Sequence, residues 1–126
     1  MGDRPVIVTV KMNNTQDEIT IKVDQEPVDP GAVNVGDHID WAIRSDNNDW
    51  AFTQDHQGNS NGIDIKGHGK QKFKDKGGAN RKQHKWQRTA NGDHDGKRYR
   101  YTISVVNETA TNGPITLTWD PSIMNN

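Results

Sequence analysis

The sequence predicts an all-β protein, an antiparallel sandwich or barrel, and three observations carry that prediction. Nineteen of the twenty Ile, Val and Leu residues are Ile or Val, with Leu117 the only leucine. Branching at Cβ stiffens such side chains and suits them to a pleated surface better than to a helix. Short runs that alternate apolar and polar residues recur along the chain, and clusters of Gly, Pro, Asn and Asp separate them. No window carries a helical apolar stripe. Seven or so short strands with frequent turns favour a closed or stacked β architecture.

Each element follows in order. "PVIVTVK" and "EITIKV" flank the turn-forming "MNNTQD", so residues 5–11 and 18–23 read as strands. "DPGAVNVGD" supplies a Pro-Gly turn and a Gly-Asp turn ahead of "HIDWAIR", where Ile39, Trp41 and Ile43 alternate with polar neighbours. "WAFT" continues through Trp50 and Phe52, and "GIDIK" through Ile63 and Ile65. The clearest strand is "RYRYTISVV", with Tyr99, Tyr101, Ile103 and Val105 on one face. "ITLTW" follows the turn "TNGP" and presents Ile115, Leu117 and Trp119. Trp41, Tyr101, Ile103 and Leu117 are expected to share one core.

At 126 residues and 14.2 kDa the chain is expected to form one domain over residues 1–126, with a basic Gly-rich insertion at about 66–97. Leu, Ile, Val and Phe make up only 22 residues, a share that borders on disorder, but the net charge of −1 lacks the repulsion that usually accompanies disorder. The absence of cysteine excludes disulfides, thiolate metal sites and cysteine nucleophiles. No apolar run approaches the ~18 residues of a membrane span, so no membrane partner is expected, and "MGDRPVIVTV" lacks the basic end and apolar stretch of a signal peptide.

The order "VNVGDHIDWAIRSDNNDWAF", a variable segment, "YRYTISVVN" and then "GPITLTW" resembles the layout of the cupredoxin-like fold over roughly residues 33–53 and 98–119. In that family a Val-x-x-Gly-Asp turn leads into a strand with a buried Trp, an edge segment follows, and a Tyr-x-Tyr strand runs into the ligand loop before the final strand. The tail "LTWDPSIMNN" also resembles the ends of small bacterial proteins of that kind. The resemblance implies a Greek-key β-sandwich. A blue-copper site needs a Cys, two His and usually an axial Met. Here Asp49 and Trp50 stand around the first ligand position, Ile103 stands where the cysteine would follow Tyr-x-Tyr, and "NETATNGP" has neither His nor Met. A copper-free module without cofactor is therefore expected.

Other chemistry finds little footing. His38, His56, His68, His84 and His94 show no paired spacing of the kind that builds a metal site locally. Asp46 and Asp49, or Asp93 and Asp95, offer carboxylates without the remaining calcium ligands at loop spacing, so turn chemistry is the better reading. Ser45, Ser60, Ser104 and Ser122 lack a nucleophile elbow, and no His–carboxylate pairing is implied by position. "KGHGK" and "KGGANRK" lack the Gly-Lys-Ser/Thr ending of a phosphate loop. A non-catalytic binding or interaction module is expected, with its ligand and partners undefined by sequence.

From Lys66 to Arg100 there are twelve Lys and Arg against Asp75, Asp93 and Asp95, a net of +9, while the remainder carries four basic and fourteen acidic residues. Such a split makes a strong dipole. Three readings follow. The run is a pair of strands or loops with Phe73 and Trp86 turned into the core. Alternatively, its charge pairs with the acidic body or with a second copy of the chain. Or the segment 66–100 binds a polyanion or nucleic acid, with Lys70, Lys72, Lys74, Arg81, Lys82, Lys85 and Arg88 on phosphates and Trp86 stacking on bases.

Overall fold

The computed structural model describes residues 3–12, 19–31, 33–45, 49–78, 80–110 and 113–126. Apart from Met12, the expected turn "MNNTQD" lies outside the described residues, as do Asp46 and the first two residues of "TNGP". The described elements are the strands β1 (Arg4–Met12), β2 (Ile19–Val23), β3 (His38–Ser45), β4 (Trp50–Phe52) and β5 (Ile63–Ile65), then the single turn α1 (Gly69–Lys72). After it come β6 (Phe73–Gly77), β7 (Gln83–Arg88), β8 (Arg98–Asn107), β9 (Ile115–Trp119) and β10 (Ser122–Met124).

The chain is all-β, in two sheets. The first has the order β2-β1-β3-β7-β6. The second is built around β8. Val105 pairs with Phe52 of β4 and with Leu117 of β9, and Ile103 pairs with Ile63 of β5 and with Trp119 of β9. β4 and β5 therefore share one flank of β8 and β9 the other, where β10 continues the same register. The alternation read from sequence sets the faces: in β3, Ile39, Trp41 and Ile43 point inward while His38, Asp40 and Ala42 are half-buried. Both sheets contribute to one apolar cluster, in which Trp41, Tyr101 and Ile103 are wholly inaccessible and Leu117 packs partly buried at the margin. Trp41 Nε1 donates to the Tyr101 hydroxyl at 3.3 Å, and the two rings tilt together at 5.2 Å. Such pairs satisfy the polar tip while burying the ring.

Two sequence expectations need correction. The sandwich is not wholly antiparallel, because β1 and β3 run parallel in register Val6↔Trp41. Parallel neighbours need a long connection, and here it includes β2, which returns antiparallel along β1; after β2, Val28 forms a parallel bridge to Ile123 of the second sheet before the chain enters β3. The basic segment, expected as a Gly-rich insertion at about 66–97, is integral to the first sheet through two strands, in line with the first of the three readings, which turned Phe73 and Trp86 into the core. Residues 73–77 and 83–88 are strands of the first sheet, and β7 pairs with β3 from His38↔Gln87 to Ala42↔Gln83. Its inward positions are His84, Trp86 and Arg88, all buried. Two of these three are polar, which hides the strand's period from a reading of apolar alternation.

Candidate binding groove

The residues expected to grip a polyanion do not share a face. Trp86 is 4% exposed, and its Nε1 donates to the Ile63 carbonyl at 3.0 Å, so its ring is unavailable for base stacking. Arg88 is 1% exposed. Its guanidinium donates to the carbonyls of Val33 (2.6 Å), Gly92 (2.9 Å) and Pro30 (3.2 Å) and to Asn125 Oδ1 (3.0 Å). It lies over the Phe73 ring at 4.9 Å. Burial pulls its pKa below the ordinary value, and Asp95 and Asp93 oppose that shift. Lys74 and Lys85 lie on the outer face of the first sheet, opposite Gln87 and Asp40 respectively.

The other candidates are tied elsewhere. Lys72 pairs with Asp93 and, at 3.9 Å, with Asp95. Arg81 forms a two-pronged bond to Glu108, both N···O distances 2.8 Å, and this fork holds the Glu108 carboxyl below its usual range. Lys82 Nζ donates to the Trp50 carbonyl, with burial lowering its pKa. Lys85 stands 4.0 Å from Asp40, and Lys70 3.7 Å from Asp64. Part of the charge that is segregated along the chain is thus matched in space, at Lys66, Lys70, Arg81 and Lys85.

What the fold does assemble is a groove where β5, an edge of the second sheet, faces β6, an edge of the first. Two cavities of about 510 and 500 Å³ lie there, and Asp64 and Asp75 line both. The first cavity adds hydroxyl and amide groups from Thr53, Asn61, Thr102, Ser104 and Thr116. These residues come from β8, β9 and the loop between β4 and β5; alternation along β8 sends Thr102 and Ser104 away from the core that takes Tyr101, Ile103 and Val105. The second cavity runs on past Lys70, Lys74 and Thr89, with Phe73 and Trp86 as its base. Gly62 sits beside this groove because Phe52 leaves no room for a side chain: a Cβ there would fall 2.4 Å from the Phe52 Cβ.

Asp75 is anchored from within. His84, wholly inaccessible, places Nε2 2.8 Å from Asp75 Oδ1 and Nδ1 2.6 Å from Ser60 Oγ. Burial alone would raise the Asp75 pKa, but the bonds from His84 and the Gly77 amide outweigh it, and the carboxyl lies below its ordinary value. An ionised carboxylate only accepts, so Nε2 carries the proton and a neutral imidazole then accepts the Ser60 hydroxyl at Nδ1. The connectivity is that of a serine–histidine–carboxylate relay with the ring nitrogens exchanged. Neither Ser60 nor His84 lines the groove, which the relay reaches only through Asp75. The relay ties the loop before β5 to the first sheet, with the His84 ring between the edge of Phe52 (6.2 Å) and the plane of Trp86 (6.5 Å).

Sequence reading missed Asp64, Asp75, Ser60 and His84 as a group, since the pairings span separations that only the two-sheet packing closes. The one available signal was Asp64, a polar residue alternating with Ile63 and Ile65. Ile103 lies in mid-strand, and the residue that opens the following loop is Asn107, whose Oδ1 accepts from the Thr109 amide at 3.0 Å. Among the described residues no cluster of three or more His, Asp and Glu could hold a metal ion, and no helix is long and apolar enough to cross a membrane. Comparison of the chain with protein-family models and with curated proteins finds no match to either.

Proposed function

We propose that this chain is a non-catalytic binding module, a cupredoxin-like Greek-key sandwich without copper that takes its ligand in the groove between β5 and β6. Supporting the cupredoxin-like part are the Gly36–Asp37 turn leading into β3, the buried Trp41 on that strand, β4 as a short edge segment, and the Tyr-x-Tyr strand β8 running into a loop before β9. The observation that carries the binding reading is the pair of polar cavities, each within the ~300–1,000 Å³ of ordinary small-molecule sites, joined at Asp64 and Asp75. The polyanion reading has less support, because its candidate residues are buried, paired or turned to different faces.

The test is a two-dimensional NMR titration with separate mixtures of neutral, cationic and anionic fragments and with a short oligonucleotide at low salt. Fragment-induced shifts are expected at residues 63–66 and 73–75 and at the Trp86 indole, with none from the oligonucleotide. Saturable oligonucleotide binding centred on Lys74 and Lys85, with a log–log salt slope of about −0.7 per neutralised phosphate, would overturn the proposal.

A further inference from the structure

We infer that the groove takes a neutral, polyhydroxylated ligand, an oligosaccharide; this rests on the binding reading above and deepens it. The charge in the groove is balanced before any ligand arrives. Asp64 faces Lys66 at 2.6 Å and Lys70 at 3.7 Å, two ammonium groups against the two carboxylates of the groove, while His84 holds Asp75 by a hydrogen bond. An anion entering here meets two carboxylates, and a cation meets the ammonium groups of Lys66 and Lys70 beside Asp64. A neutral ligand meets neither penalty.

The groups that remain favour hydroxyls. Carboxylate oxygens have several acceptor sites each, and hydrogen bonds from a hydroxyl to an ionised carboxylate are shorter and stronger than neutral ones. Ser104 and Thr116 both donate and accept, as a sugar hydroxyl does; the Thr102 hydroxyl, which donates to Asp120 Oδ1 at 2.7 Å, keeps its acceptor side, and Asn61, whose Oδ1 accepts from Thr53, offers its amide N–H. Apolar surface is scarce: the nonpolar lining comes from Ile63, Phe73 and Trp86, none more than 4% exposed. Ordinary ligand pockets are mostly apolar, so this groove gives an apolar molecule little to displace water from. Its two halves meet at the paired carboxylates, a shape that suits a linear chain of two or more rings.

An extended peptide fits less well. Strand addition needs free backbone groups on a sheet edge, and one of the outward carbonyls of β5, Ile63 O, already accepts the Trp86 indole. On the other wall β6 carries an irregular register between Asp75 and Gly77 and the lysines Lys74 and Lys76, devices that discourage edge pairing.

The experiment is NMR titration of the full chain with cellobiose, maltose and N,N′-diacetylchitobiose, and separately with spermidine and inorganic phosphate. At least one saccharide is expected to shift the amides of residues 63–66 and 102–104 and the Trp86 indole, with an affinity unchanged between about 50 and 200 mM salt, a span that weakens charge-driven binding steeply. Asp64→Asn and Asp75→Asn are each expected to weaken it at least tenfold. Should Asp75→Asn disturb the fold through His84, Ser104→Ala tests the same wall and is expected to weaken binding severalfold. Groove shifts produced only by spermidine or phosphate would overturn the saccharide inference while leaving a binding groove. Silence of the groove toward every saccharide also overturns it, and shifts confined to other surfaces would remove the groove reading as well.

Discussion

Arg88 carries a positive charge into the interior and meets it with oxygen rather than with a carboxylate. Pro30, Val33 and Gly92 bring main-chain carbonyls, and Asn125 its side-chain oxygen, so one side chain joins two loops and the C-terminal segment. Arg88→Met is expected to cost at least about 3 kcal/mol in urea unfolding, since each buried acceptor left unpaired costs about 1–3 kcal/mol. A loss under about 1 kcal/mol would place Arg88 on the surface. Lysine should rescue little, lacking the planar fork. Trp86→Phe, which keeps a ring and orphans the Ile63 carbonyl, is expected to cost about 1–3 kcal/mol in the same assay. One of the three sequence readings made both residues candidates for phosphate and base contacts, while another turned Trp86 into the core; residue type alone cannot distinguish a guanidinium that solvates carbonyls from one that meets an anion. The tyrosines are also legible only in the fold. Burial, then the bond to Asp95, pushes Tyr99 up to about 12, and burial raises Tyr101 further. A tyrosine whose folded pKa is raised contributes stability that is complete below its unfolded value of about 10 and is lost as pH climbs toward the folded value. Ultraviolet titration of the folded protein should therefore show no phenolate step near pH 10, whereas a full step there would contradict the Asp95 contact.

At the scale of elements, strands that alternate apolar with polar residues were legible outright, whereas β6 and β7 were legible only as strands or loops burying Phe73 and Trp86, with His84 and Arg88 not seen to face inward. β3 and β8 announce themselves through Trp41, Tyr101 and their isoleucines. β7 reads "QHKWQR", and its inward face is recovered only once Ser60 and Asp75 are seen to satisfy His84 and the loop carbonyls to satisfy Arg88. In β6 only Phe73 signalled the core, and its lysines mark an edge strand. Replacing Lys74 and Lys76 together by valine should expose a flat apolar edge and make the protein self-associate. Light scattering at rising concentration checks this, and a variant that stays monodisperse would assign the lysines another role. Gly62→Ala tests the approach of the loop to β4. The added methyl meets the buried Phe52 side chain, and overpacking of this kind costs about 1–3 kcal/mol. An unchanged unfolding midpoint would mean that the loop yields.

For the whole molecule, the opposition between a basic segment and an acidic remainder is resolved by topology. Placing β6 and β7 beside β3 brings Lys85 toward Asp40 and Arg81 toward Glu108, while α1 brings Lys72 to Asp93 and Lys70 to Asp64. Solvent-facing pairs of this kind stabilise little, so they match the surface charge more than they hold the fold. The apolar cluster and the Arg88 and His84 networks hold it, and the groove remains at the flank where the two sheets' edges part. All of this depends on residues 73–88 being structural strands. Native-state hydrogen exchange tests that dependence most directly. The amides that pair β7 with β3, and the Trp86 indole bonded to Ile63, should exchange as slowly as the amides of β8, at the rate of global unfolding. Fast exchange across residues 66–97 with β8 still protected would mean a mobile basic loop on a smaller sandwich, and would contradict the account.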